Sequence, residues 1–87
     1  MNEQEKAALL QKGRERCLEP LERLFGEALQ ESNLKRAETW YQEYCGAAKM
    51  LECLGLISRE KYRSPGETLL CRLLTAKYPD APREKET

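Results

Sequence analysis

The stretch Asn33–Ser58, NLKRAETWYQEYCGAAKMLECLGLIS, limits what this chain can fold into more than any other. Stepped at about 100° per residue, Leu34, Ala37, Trp40, Tyr41, Tyr44, Ala47, Ala48, Leu51 and Leu54 fall on one face. Lys35, Arg36, Glu38, Thr39, Gln42, Glu43 and Lys49 fall on the other. The pattern predicts an amphipathic helix. Its apolar stripe is wider than the seam of a two-stranded coiled coil, so the helix is expected to meet two neighbours at once. The aromatics of its first half fill a wide gap, whereas Gly46, Ala47 and Ala48 permit a close crossing. Ser32 or Asn33 is the expected N-cap. Gly55 suits the left-handed position that ends a helix, with Leu56 packing back over the last turn, and Ser58 is placed to cap the next segment. A thinner apolar line of Gly46, Met50, Cys53 and Ile57 runs along the mostly polar side. Either the third helix or the returning chain covers it, or it meets a partner.

Upstream, 2–31 reads as a first long helix. Ala7, Leu10, Cys17, Leu18, Leu21, Leu24, Phe25, Ala28 and Leu29 share a face, opposite a face of Glu, Gln, Lys and Arg. Two residues disturb it. Pro20 removes a backbone donor and its ring meets the carbonyl one turn back, so a kink or a split near Glu19 is expected. Arg14 falls inside the apolar stripe, where it either snorkels to water or pairs with an acidic residue of a partner. At 1.5 Å per residue this helix runs roughly 43 Å and the second roughly 35 Å. The first therefore overhangs, and its leading turns either fray or bring Leu9 and Leu10 to another chain.

Between the two helices, 30–33 allows only a tight antiparallel return. Downstream, Ser64-Pro65-Gly66-Glu67 is a helix-start signature: a capping Ser, Pro at the first helical position and Glu closing a capping box. The expectation is a short turn over Arg59–Arg63, a helix over Pro65–Lys77 with Tyr62, Leu69, Leu70, Leu73 and Ala76 on one face, and a stop at Tyr78-Pro79. Residues 79–87 form a charged tail expected to be disordered. With no strand signal and no internal repeat, the chain is expected to be an all-α, three-helix antiparallel bundle over 1–78, the second helix in the middle.

Eighty-seven residues make one domain with a modest core. Fifteen Lys and Arg balance fifteen Asp and Glu, which argues against nonspecific binding to nucleic acid or anionic membranes and leaves self-association unopposed. The charged start MNEQEKAALLQKGRER lacks the apolar run of a signal peptide, and no stretch is long enough to span a bilayer. A cytoplasmic setting with reduced cysteines is expected. Cys17, Cys45, Cys53 and Cys71 include no CxxC pair, and the chain has no His. Neither a metal site nor a cysteine nucleophile with its base is expected. Cys17 and Cys71 read as small core residues and the other two as boundary residues. The carboxylates sit on polar faces at spacings that pair them with Lys and Arg. The chain is thus read as a non-enzyme without cofactor or metal, and no small-molecule substrate is evident.

Leu54-Gly55-Leu56-Ile57-Ser58, followed by Arg59, Lys61 and Arg63, echoes a helix-turn-helix, in which a glycine turn leads to a recognition helix. Two features oppose it: Pro65 is expected to end that helix after about one turn, and Leu51 stands where such motifs favour a small residue. The run Tyr44-Cys45-Gly46-Ala47-Ala48, then Leu51, Gly55-Leu56-Ile57-Ser58, Glu60 and Tyr62 resembles small helical proteins carried on mobile elements and prophages of Gram-positive gut bacteria. The chain departs from their pattern at Ser64-Pro65-Gly66, where an unbroken helix is expected. The resemblance implies a bacterial mobile-element origin and assigns no activity and no functional residue.

The function expected is a protein–protein interaction module, a homodimer or an adaptor, with Leu9, Leu10, Arg14, Gly46, Met50, Cys53 and Ile57 as partner-binding residues. A small DNA-binding or transcription-accessory protein using Arg59, Lys61 and Arg63 is the alternative. An inhibitor of a host enzyme or defence complex is a third reading, resting on the resemblance.

Overall fold

The computed structural model describes Asn2–Pro79, the side chain of Ser64 excepted. The tail expected to be disordered lies, from Asp80 onward, outside the described residues. The chain is all-helical, with no strand among the described residues. Helix α1 (Glu3–Gly13), a π-helical stretch (Arg14–Leu18) and α2 (Glu19–Gln30) run on from one to the next without interruption; α3 (Leu34–Cys53) and α4 (Arg59–Lys77) complete three helices. α3 lies between the other two, packing on α2 along one flank and on α4 along the other.

The helix ends obey their local chemistry. Asn2 caps α1, its side chain accepting from the Glu5 N–H at 2.8 Å. The α2–α3 return is a Schellman turn. Ser32 takes the left-handed conformation (φ 59°), its N–H donates to Leu29 O, and the Asn33 N–H donates to Ala28 O at 2.8 Å. Asn33 then starts α3 by accepting from the Arg36 N–H at 3.1 Å. Of the two expected caps it is Asn33 that caps, while Ser32 ends the preceding helix. α3 closes in the same way. Gly55 sits at φ 75°, and the N–H groups of Gly55 and Leu56 donate to Glu52 O and Leu51 O.

Pro20 neither splits the first helix nor leaves it a regular α-helix. The Glu19 N–H donates to Arg14 O, five residues back. Leu18 and Glu19 keep right-handed helical backbone angles. A proline ring collides with the carbonyl four residues before it, here that of Arg16, and a π turn widens the backbone at that point. The insertion also shifts the register of everything upstream. Counting back from buried Leu18, the residue that reaches α3 is Gly13 rather than Arg14. A Cβ at Gly13 would lie 2.9 Å from Leu51 Cδ2, so this glycine, and not Gly46, provides the close crossing. Around Gly46 a Cβ would meet nothing within 4 Å. Pro20→Ala restores a donor and a helix former, and is expected to raise stability by about 1–2 kcal/mol. That is less than the roughly 3 kcal/mol a proline costs in a regular helix interior, because the π turn already relieves part of the clash. A urea midpoint that falls instead would show that the π turn depends on the proline.

The break expected at Ser64-Pro65 is absent. α4 starts six residues earlier, where the Ser58 side chain accepts from the Lys61 N–H at 3.4 Å, and continues through Pro65 with a bend. Two start signals compete. The upstream one wins because Glu60 and Lys61 are good helix formers and Tyr62 packs on the core in that register. Pro65 then removes only the bond that the Lys61 carbonyl would accept, which bends the helix.

The core comprises Leu18, Phe25, Ala28, Ala37, Tyr44, Ala48, Leu51, Ile57, Leu69 and Leu73. Trp40, Tyr41 and Leu21 are among the half-buried residues packed around it. The expected stripe of α3 holds from Ala37 to Leu51 and fails at Leu54, which is exposed. Leu54 is the C-cap of α3, and the left-handed Gly55 turns the chain so that Leu56 and Ile57 fold back in its place. Ile57 is therefore buried within the monomer, contrary to its placement on the partner line. Cys17 and Cys71, expected in the core, are exposed, as are Ala7 and Ala76. Leu18 beside Cys17, and Leu69 and Leu73 either side of Cys71, take the inward positions instead.

A candidate interaction surface and the cleft beside it

The partner-binding residues expected from the sequence divide in three. Gly46, Met50 and Cys53 are exposed on α3. Spacings of four and three residues set them in one strip, which Leu54 extends. Neither α4 nor the chain's return covers these positions. Met50 is 62% exposed, Leu54 64% and Leu9 42%. Leu10 instead packs against the core, and Ile57 is inside it. Arg14 is exposed and lines a cleft. No residue of α1 is fully buried, so the first helix does extend past the packed core.

That cleft, of about 240 Å³, opens between the π-helical stretch, the start of α2, the middle of α3 and the start of α4. Leu18, Ile57 and Pro65 supply apolar wall. Arg14 and Lys61 bring two cations, and Glu19 and Glu22 two anions. Tyr44 and Tyr62 complete the lining. Tyr44 is almost wholly buried. Burial, and then the adjacent Glu22 carboxylate that accepts a hydrogen bond from its hydroxyl, push its phenol up to about 12, with Arg14 pulling the other way. Outside the lining, a hydrogen bond with Tyr62 and the cations Lys49 and Arg59 hold the Glu52 carboxyl below the usual range against partial desolvation.

The three cations of the nucleic-acid alternative do not form a free basic patch. Arg59 pairs with Glu52 at 3.7 Å and Arg63 with Glu67 at 2.8 Å, while Lys61 faces the cleft. The chain does continue helically through Pro65, so the early stop that counted against a recognition helix is removed. All four cysteines are free thiols. Cys45 neighbours Tyr41, whose phenol is raised to about 12 by burial first and by Cys45 second. Among the described residues no group of three or more Cys, Asp or Glu is arranged to hold a metal ion. No helix among them is long and apolar enough to cross a membrane.

No family model, curated protein or solved structure matches this chain. Its geometry is therefore the ground for any function assigned to it. The cleft is the feature that helical periodicity missed. Its signals in the sequence were the arginine set inside an apolar stripe and the proline six residues after it.

Proposed function

We propose that this protein is a non-enzymatic interaction module of three antiparallel helices, cytoplasmic in setting, which associates with a second copy of itself. The Gly46–Met50–Cys53–Leu54 strip of α3 and Leu9 of α1 form the contact. One observation carries this reading: Met50, on the outer side of α3, and Leu54, its C-cap four residues on, are each more than three-fifths exposed. Large apolar side chains adjacent on one surface mark sites of association. The zero formal net charge leaves no general repulsion between copies.

Light scattering coupled to size exclusion, at two concentrations and with and without reductant, tests it. The wild type is expected to run as a dimer that reductant does not alter. Met50→Glu combined with Leu54→Glu is expected to give a monomer of unchanged helicity by circular dichroism. Burying each such side chain contributes about 1.5 kcal/mol or more, and the contact uses each residue twice, so the dimer should weaken at least about a thousandfold. A monomeric wild type at both concentrations overturns the reading. So does a dimer that survives the double substitution, or one that reductant dissolves, since that would be a disulfide through an exposed cysteine.

A further inference from the structure

We propose that the cleft beside the π turn binds a small zwitterion: an α-amino acid with an apolar side chain, its carboxylate on Arg14 and Lys61 and its ammonium on Glu19 and Glu22. Three independent features of the site point this way, and none rests on the self-association reading.

The first is size. At about 240 Å³ the cleft falls below the range of pockets that enclose drug-sized ligands, roughly 300–1,000 Å³. It suits a metabolite of about ten heavy atoms.

The second is the state of its charges. Four cations elsewhere meet an acid directly: Arg63 with Glu67, Lys77 with Glu38, and Lys49 and Arg59 with Glu52. Arg14, Lys61 and Glu19 are, like most exposed charges of this chain, in no ion pair among the described residues; what sets them apart is that all three line one cleft. Two cations and two carboxylates share a small concavity without neutralising one another. A ligand with both charges a few ångströms apart would satisfy both sets, whereas a simple anion would meet Glu19 and Glu22, and a simple cation Arg14 and Lys61. Leu18 and Ile57, both buried in the core, and Pro65 offer apolar surface for a side chain.

The third is the backbone. π turns concentrate at functional sites because they re-aim side chains at a cost to the helix. This one places Gly13 against Leu51 and so frees Arg14 to stand at the cleft, where it lies close enough to Tyr44 to influence its hydroxyl. Tyr44, held by Glu22, gives the cleft a fixed polar floor.

The test is an amide NMR titration of the full chain with L-leucine, using L-leucinamide and N-acetyl-L-leucine as probes that each lack one of the two charges. L-leucine is expected to give saturating shifts confined to residues around Leu18, Tyr44, Ile57 and Tyr62, with a Kd of about 1 mM or tighter. Each single-charge probe should bind at least tenfold more weakly. Arg14→Met and Glu19→Gln, both at exposed positions, should each weaken L-leucine at least tenfold while the rest of the spectrum stays that of the wild type. The absence of saturating shifts overturns the proposal, as do shifts scattered over the surface. N-acetyl-L-leucine binding as well as L-leucine would make this an anion site and overturn it equally. An Arg14→Met variant that keeps the wild-type spectrum and wild-type affinity would do the same.

Discussion

Phe25→Ala is expected to lower the unfolding free energy by about 3–5 kcal/mol, the range for truncating a buried aromatic. Phe25 has no exposed surface and is the largest fully buried side chain among the described residues. It stands where α2, α3 and α4 come together, with the Arg72 guanidinium 5.3 Å from its ring centroid. The contact links α4 to the first helix, against which α4 otherwise packs little. A domain of this length has about 5–10 kcal/mol of stability in total, so the variant should be close to half unfolded under mild denaturant and lose much of its helicity at 37 °C. Urea unfolding monitored by circular dichroism reads the result. Arg72→Met removes the cation–π contact and keeps the ring, and should cost only about 0.5–1 kcal/mol. If the two substitutions cost the same, Phe25 is not the keystone of the core.

Alkaline pH should produce the second large effect. The Tyr44 phenol titrates near 10 in the unfolded chain and is pushed up to about 12 in the folded one. Below pH 10 both states keep the proton, and the native environment's preference for the neutral phenol is fully present as stability. Between pH 10 and 12 the unfolded chain loses the proton first, so stability falls. Two pH units correspond to about 2.7 kcal/mol. Tyr41 is raised in the same direction. Lys77, raised chiefly by its hydrogen bond to Glu38, also loses its stabilising charge as pH rises through this window. Tyr44→Phe therefore isolates the effect. At pH 8 it should cost about 1 kcal/mol for the lost hydrogen bond, and by pH 12 it should be more stable than the wild type. A constant gap between the two proteins from pH 8 to pH 12 would mean that Tyr44 titrates as though solvated.

How far the fold was legible depended on whether a residue's surroundings obey a single period. From Ala37 to Leu51 they do, and the buried residues there are those the 100° rule selects. The caps at Asn33, Ser58 and Gly55 were legible as well, because they act through bonds to residues only a few positions away. The rule fails wherever the helix is not a plain α-helix. One extra residue in the turn at Arg14–Leu18 rotates the face of α1, so Arg14 looked misplaced in the apolar stripe when it was correctly placed outside it. Past Cys53 the chain leaves the helical period, and Leu54 and Ile57 exchange the positions that extrapolation assigned them. The Ser64–Pro65 signature was genuine as a local preference. It lost to Ser58 because packing of Tyr62, Leu69 and Leu73 rewards one continuous helix, and no local rule contains that information. The cleft was illegible for a related reason. Its lining comes from three separate stretches, 14–22, Tyr44 and 57–65, and only their meeting creates it.

The segment Glu3–Gly13 has every backbone feature of a helix and no fully buried residue. The turns ahead of Leu10 are exposed throughout, and so short an unpacked stretch of helix is marginal in water, so the start of α1 can fray without exposing the core, and its opening equilibrium is separate from global unfolding. In the proposed dimer Leu9 would be captured by a second copy, and the helicity of α1 would become thermodynamically linked to association. Each process then biases the other by the same factor. Substitutions far from the contact that only stiffen α1 would tighten the dimer, and those that loosen it would weaken it, without touching a single interfacial atom.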